Sequence, residues 1–356
     1  MQVTAAVVEK KHADFRLQAL ELSDPGPDEL IVRVVASGVC QTDVHGRDDY
    51  FGIPFPCVFG HEGAGIVERV GAGVTRVAPG DRVLMVSPAC GACAACGRGL
   101  PGYCAAARRI KFSGLLKDGR RPFHRNGLPV SGAFFQQSSF ATHALATEAN
   151  VVKLPPELPL ESAAAFACGV NTGAGAVLNV LRPAAGSSFA VFGAGAVGLA
   201  GVMAARIAGC DPIIAVDLHE NRLQLARELG ATHVYIPGKH DFKDIQYTLE
   251  AAGDPRALRV AVESLAPLGA CCLVGSARKG VEAPLEMAHL QQGRSLRGCI
   301  QGDAPPEEFL PALFGHWRAG RLPVERLIRS YDFADINRAI ADSLGGSTVK
   351  PVLRIS

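Results

Sequence analysis

The stretch of this 356-residue chain that most limits its fold runs from Ser188 through Phe192 into Gly193-Ala-Gly-Ala-Val-Gly198. A short apolar run that ends on Gly193, Gly195 and Gly198 and leads into the apolar stretch Ala196 to Ala208 predicts a strand, a tight turn and a helix. Glycines in that context let the backbone approach a pyrophosphate at the helix N-terminus. The next apolar run, Ile213 to Asp217, ends on a carboxylate. Placed there, it would bond both hydroxyls of an adenosine ribose and repel a 2′-phosphate, so the pattern predicts NAD rather than NADP. Strands and helices go on alternating, with a helix over Glu220 to Glu228 that stops at Gly230, a strand over Ile245 to Glu250, a helix over Arg256 to Leu265 and a strand over Ala270 to Val274. Such alternation means a parallel sheet covered by helices. Pro237 to Asp244 is short for a parallel crossover, which normally takes at least ten residues. Either that crossover is stripped to a loop or the strand Ile245 to Glu250 is misplaced.

The first 150 residues read differently. Runs rich in β-formers (Gln2 to Glu9, Glu29 to Ser37, Gly63 to Val70, Arg82 to Val86) are cut by Gly and Pro, which predicts a small irregular β-barrel. The pattern changes near Pro155. A helix is expected over Pro306 to Ala319, and Val349 to Ile355 reads as a last strand returning to the first domain. Lys and Arg number 36 against 34 Asp and Glu, a balance that offers no field for nucleic acid or an anionic membrane. Two uncharged stretches, Ser162 to Leu181 and Pro183 to Ala205, are long enough to span a bilayer. They are rich in Ala and Gly rather than in the residues that drive insertion, so buried sheet and helix is the better reading. The N-terminus lacks the basic start and long apolar core of a signal peptide, and a cytoplasmic location is expected.

Eleven cysteines under those conditions point to metal or catalysis rather than to disulfides. Cys90, Cys93, Cys96 and Cys104 crowd into one loop among Gly91, Gly97, Gly99 and Gly102. Four thiolates with no spare ligand suit a tetrahedral structural zinc, with an iron–sulfur cluster or four unrelated thiols as alternatives. A second set is spread out: Cys40 in Gly-Val-Cys-Gln-Thr-Asp, His61 and Glu62 in Gly-His-Glu-Gly-Ala-Gly, and Cys168 in Ala-Cys-Gly-Val-Asn-Thr-Gly. Each alone is weak, since a lone buried cysteine is usually core. Their order around the four-cysteine loop is the specific signal.

With these motifs the chain resembles the zinc-dependent alcohol dehydrogenases of the medium-chain dehydrogenase/reductase superfamily along nearly its whole length. The segment Phe134-Phe-Gln-Gln-Ser-Ser-Phe-Ala-Thr-His-Ala, with Thr172-Gly-Ala-Gly-Ala-Val-Leu-Asn, is most similar to the aryl-alcohol (benzyl-alcohol) branch. The resemblance implies a GroES-like β-barrel catalytic domain with an inserted doubly wound Rossmann domain, divided as 1–169, 170–300 and 301–356. It implies two zinc ions per chain and NAD, a small alcohol or aldehyde as substrate, and a homodimer or homotetramer. Cys40, His61 and Cys168 would hold the catalytic zinc, with Glu62 a transient ligand or a nearby charge, and Asp43 would orient His61. Thr42 and His45 would relay the hydroxyl proton to solvent. Thr172, Val197, Arg222 and Lys350 would join the glycines and Asp217 around the cofactor, Lys350 at the pyrophosphate. Gln41 stands where relatives often carry Arg or His against that pyrophosphate, which predicts weaker cofactor binding.

By family position Phe51, Val86, Phe134 and Phe135 would wall the substrate pocket, which favours a flat, primary aromatic or allylic alcohol. The bland alternative is that these side chains are barrel core. A glutathione-dependent formaldehyde dehydrogenase is the nearest rival, against which stand His45 and the short loop between it and His61. A zinc-free quinone reductase would lack the ligand set. A scaffold protein built on the four-cysteine loop would have no use for Thr42, His45, Cys168 and Asp217 together.

Overall fold

Glycine and proline punctuation resolves the first part of the chain into short, mostly antiparallel strands. In a computed structural model, which describes residues 1–239 and 241–355, they build two sheets. One runs in the order Cys57–Val58, Gln2–Val8, Arg16–Leu22, Phe123–Arg125, Leu128–Val130. The other runs Val151–Lys153, Arg82–Met85, Gly63–Val70, Glu29–Gly38, Lys350–Arg354, Ile328–Asp332, with His143–Thr147 also on Glu29–Gly38. Alternating side chains fill three apolar clusters, one containing Phe59, Phe134, Phe140 and Tyr331. The returning strand Lys350–Arg354 lies antiparallel to Glu29–Gly38. Its Val352 pairs with Gly38, so the C-terminal Lys350 arrives beside Val39.

The alternating segment forms a six-stranded parallel sheet in the order His233–Tyr235, Ile213–Val216, Phe189–Phe192, Ile245–Glu250, Leu265–Leu273, Ser295–Gly298. The chain divides into two compact units, residues 1–168, 305–314 and 325–356 in one and residues 169–304 and 315–324 in the other. The strand expected at Ile245–Glu250 is present and pairs with Phe189–Phe192, with two strands lying between it and the one that precedes it in sequence. Among the described residues of the crossover none is helical. Phe242 from this segment packs on Phe192 and Tyr235 at ring separations of 6.1 and 5.5 Å and joins the apolar cluster around them.

The strand over 270–274 begins earlier than expected, at Leu265. The strands Arg16–Leu22 and Ser295–Gly298 carried no clear signal, because their exposed positions break the apolar runs, and His143–Thr147 is short and flanked by polar residues. Leu160–Leu181 is one helical stretch long and apolar enough to cross a membrane, yet 72% of its most apolar window is buried within the protein, as a core helix would be.

Candidate active site and metal centres

Cys40, His61, Glu62 and Cys168 converge on one point, with one ligand atom from each within 4.8 Å of the others. Each arrives for a local reason. Cys40 is the extended residue before the helix Gln41–Arg47, and its backbone N–H donates to Asp43 Oδ2 at 2.9 Å. Asp43 Oδ1 accepts from the Gly60 backbone at 3.2 Å and pairs with His61 Nδ1 at 2.8 Å. One wholly buried carboxylate thus caps the helix and fixes the histidine. Cys168 lies on the π-helical turn Phe166–Val170 inside the long helix, an irregularity often found at functional positions and one that no sequence pattern announces.

This donor set fits zinc. With Nδ1 engaged, His61 Nε2 is buried with no hydrogen-bond partner among the described residues, the state of an imidazole whose lone pair is meant for a metal. Burial works to lower the His61 pKa, but the Asp43 carboxylate and the Cys40 thiol outweigh it and raise it well above the ordinary value. Cys40 is held well below the usual thiol range, chiefly by the Cys168 thiol and also by His61. Two cysteines and a histidine leave a fourth position open, the arrangement of catalytic rather than structural zinc.

Glu62 is wholly buried, and its Oε1 lies 4.0 Å from His61 Nε2. Its other oxygen pairs with Lys350. Burial pushes the carboxyl up to about 7 against the pull of the lysine. Gly38 leaves room for this carboxylate, since a Cβ on it would lie 2.0 Å from a Glu62 carboxylate oxygen and force that side chain to move. Strand register delivers Lys350 next to Val39, where its buried ammonium is 3.5 Å from the Val39 carbonyl and pairs with the Glu62 carboxylate.

Cys90, Cys93, Cys96 and Cys104 form the second set, their sulfurs likewise within 4.8 Å of one another. Backbone N–H groups of Cys90 and Ala105 donate to Cys104 and Cys93 at 3.3 and 3.4 Å. Donation from Ala105 and then Cys96 brings the Cys93 thiol down to about 6. Four sulfurs turned inward under backbone donors fit a closed tetrahedral zinc.

Thr42 and His45 stand three residues apart on the helix Gln41–Arg47, hence on one face. Thr42 Oγ1 is 3.8 Å from Cys40 Sγ, and the half-buried His45 ring stacks on Tyr50 at 4.5 Å. Sequence reasoning missed Tyr50.

Phe135 stacks on His61 at 4.6 Å and Phe134 stands edge-on to it at 5.8 Å. Their backbone is unusual: Ala133, Phe135, Gln136 and Ser138 all have φ near +50°, although none is glycine. Each such residue costs on the order of 1–3 kcal/mol and persists only where surroundings enforce it. Here Ser138 Oγ donates to the Val58 carbonyl at 2.7 Å and accepts from Phe134 N, while Gln136 Nε2 donates to the Ile110 and Leu115 carbonyls at 2.9 Å each. Phe51 joins this group at 6.2 Å from Phe134. Phe134 is also wholly buried, so the core and pocket readings both describe it. Val86, buried just beyond the strand Arg82–Met85, borders a cavity of about 440 Å³ with Cys96 and Glu148.

In the second unit Gly193, Gly195, Asp217 and Arg222 line a cavity of about 580 Å³. Gly193 has φ +98°, and a Cβ on Gly198 would lie 1.8 Å from the Gly193 carbonyl, so both glycines are forced by the turn. Asp217 accepts from the Ala194 and His219 backbones at 2.6 and 2.8 Å, which anchors its carboxylate at the cavity wall. Val197 lies in the first turn of the helix Ala196–Ile207, and Thr172 lies on Asn171–Gly175, where Gly173 gives close approach to the Val197 backbone. A bare glycine turn beside a fixed carboxylate fits a dinucleotide whose ribose carries free hydroxyls. Gln41 is exposed at the start of its helix.

Comparison with known proteins agrees with this geometry. Residues 26–156 match the family described as alcohol dehydrogenase GroES-like domain, and residues 196–314 match zinc-binding dehydrogenase. The chain is 37% identical to a geraniol dehydrogenase of Castellaniella defragrans, over 98% of this chain and 96% of that protein. It is 34% identical to an S-(hydroxymethyl)glutathione dehydrogenase of Escherichia coli O1:K1, over 99% and 100%. Among solved structures, an alcohol dehydrogenase zinc-binding domain protein of Burkholderia ambifaria superimposes with a TM-score of 0.97 at 43% identity, covering 100% of this chain and 99% of that one. The benzyl alcohol dehydrogenase of Acinetobacter calcoaceticus gives 0.95 at 39% identity, with 100% of both chains covered.

Proposed function

Because the chain belongs to the zinc-dependent alcohol dehydrogenases of the medium-chain dehydrogenase/reductase superfamily, we propose that it reversibly oxidises a primary aromatic or allylic alcohol to its aldehyde with NAD. The observation that carries the substrate class is the pair of rings, Phe135 face-on and Phe134 edge-on, against the metal-binding histidine. The likeness to proteins named geraniol dehydrogenase and benzyl alcohol dehydrogenase supports it.

Bound zinc supplies Lewis acidity toward the alcohol oxygen, and NAD supplies the hydride acceptor. The chain's own residues do the rest. Cys40, His61 and Cys168 hold the metal, and Asp43 keeps the imidazole in the tautomer that offers Nε2. Lys350 holds the Glu62 carboxylate in reach of the same point. Thr42 takes the hydroxyl proton and His45, half-buried on the same helix face, hands it to solvent, a task suited to an imidazole because one ring nitrogen can accept a proton while the other gives one up. Asp217 takes the ribose hydroxyls, and its charge turns away a 2′-phosphate. The phenylalanines orient a flat substrate and exclude water.

The test is NADH formation by the zinc-loaded protein with benzyl alcohol, a short allylic alcohol, ethanol, and formaldehyde plus glutathione. Benzyl alcohol should exceed ethanol by roughly tenfold or more in kcat/KM, from the added apolar burial alone. Ethanol matching it would refute the aromatic pocket, and a dominant rate with the glutathione adduct would favour the formaldehyde dehydrogenase reading.

A further inference from the structure

Behind the four-cysteine loop the chain enters a short helix, Ala107–Phe112, whose last two residues reach the aromatic wall. Phe112 stacks face to face on Phe51, with centroids 4.0 Å apart and planes 8° from parallel. The same ring meets Phe135 edge-on at 5.4 Å and Phe134 at 5.9 Å, so it touches every phenylalanine of the wall. Its neighbour Lys111 is buried and places its ammonium 5.5 Å from the Phe135 centroid, a cation–π contact that pins the end of the helix to that wall. Gln136 ties the helix to the strained turn that presents Phe134 and Phe135 by donating to the Ile110 and Leu115 carbonyls.

Phe51 and Phe112 are the half-buried members of this set, since Phe134 and Phe135 are buried. They therefore form its outer edge. A stacked pair at this edge leaves the outer faces and rims of both rings open to offset or edge contacts with a third, flat ring. We propose that Phe112, held by the helix behind the four-cysteine loop, closes the pocket against Phe51 and sets the preference for flat aromatic alcohols. This rests on the alcohol dehydrogenase reading above and adds a specificity residue to it. It also gives the four-cysteine loop a second consequence: Cys104 accepts from the Ala107 backbone through its carbonyl, so the loop that holds the sulfurs also sets where the helix starts.

The experiment compares kcat and KM for benzyl alcohol and ethanol in the zinc-loaded full chain and in Phe112→Ala, Phe112→Leu and Phe112→Tyr. Zinc content and Tm are measured on each. The ratio of kcat/KM for benzyl alcohol over ethanol should fall about tenfold in Phe112→Ala and Phe112→Leu, mostly through KM for benzyl alcohol, while Phe112→Tyr keeps it. Should the alanine variant fail to fold, the leucine variant, which keeps the bulk and removes the ring, decides. An unchanged ratio in a variant with wild-type zinc and Tm overturns the inference. If Phe134→Ala lowers the ratio and Phe112→Leu does not, the aromatic pocket stands and only the role of Phe112 fails. A wild-type chain that prefers ethanol overturns both.

Discussion

Replacing Asp43 by Asn would test how far the metal centre depends on a residue that is not itself a ligand. The carboxylate accepts three hydrogen bonds: from Cys40 N on Oδ2, and from Gly60 N and His61 Nδ1 on Oδ1. It is wholly buried, so water cannot substitute. An asparagine can turn its oxygen toward Gly60 and His61 and keep two of the three. Its amide then points a donor at the Cys40 N–H, another donor, which leaves two buried groups facing each other unpaired, at about 1–3 kcal/mol. The bond to His61 loses its charge as well, and partners of this kind are worth roughly 10- to 100-fold in metal affinity, or about 1.4–2.8 kcal/mol. We expect Asp43→Asn to retain the four-cysteine zinc, to lose the other at least tenfold more readily to a chelator, and to melt below the wild type. Metal content by mass spectrometry during chelator titration, with Tm in parallel, measures both. Zinc affinity within twofold of wild type would show that the carboxylate does not hold His61 for the metal.

The two metal sites should respond in opposite ways. Cys168→Ser should cost one zinc and nearly all turnover while leaving the fold, whereas Cys93→Ser should lower Tm sharply, because a closed site contributes folding energy directly; equal Tm losses would contradict this. Asp217→Gly should shift the ratio of kcat/KM toward NADP by removing both the ribose acceptor and the repulsion of a 2′-phosphate, and an unchanged ratio would place Asp217 elsewhere. His45→Ala should slow turnover most at acid pH, where outward proton transfer most needs a relay, and small buffer bases should partly restore it; a wild-type pH profile would remove His45 from the path.

The sequence alone determined what depends on residue type and local spacing. Gly193, Gly195 and Gly198 belong to a turn whose backbone geometry demands glycine at Gly193 and Gly198, and the strand–helix alternation around them left little choice of sheet. Both cysteine sets could be read because thiolates spaced this way have few other uses. Tertiary structure decided whatever depends on which chains lie side by side. The register of the last strand against Glu29–Gly38 brought Lys350 to Glu62, and no local pattern encodes a partner almost three hundred residues away. A π-turn carries Cys168, and a run of positive φ angles, held by hydrogen bonds from Gln136 and Ser138, turned Phe134 and Phe135 onto His61; neither conformation is encoded in local sequence pattern. A helix anchored at the four-cysteine loop brought in Phe112, whose place on the wall is a matter of packing that its neighbours in sequence do not reveal.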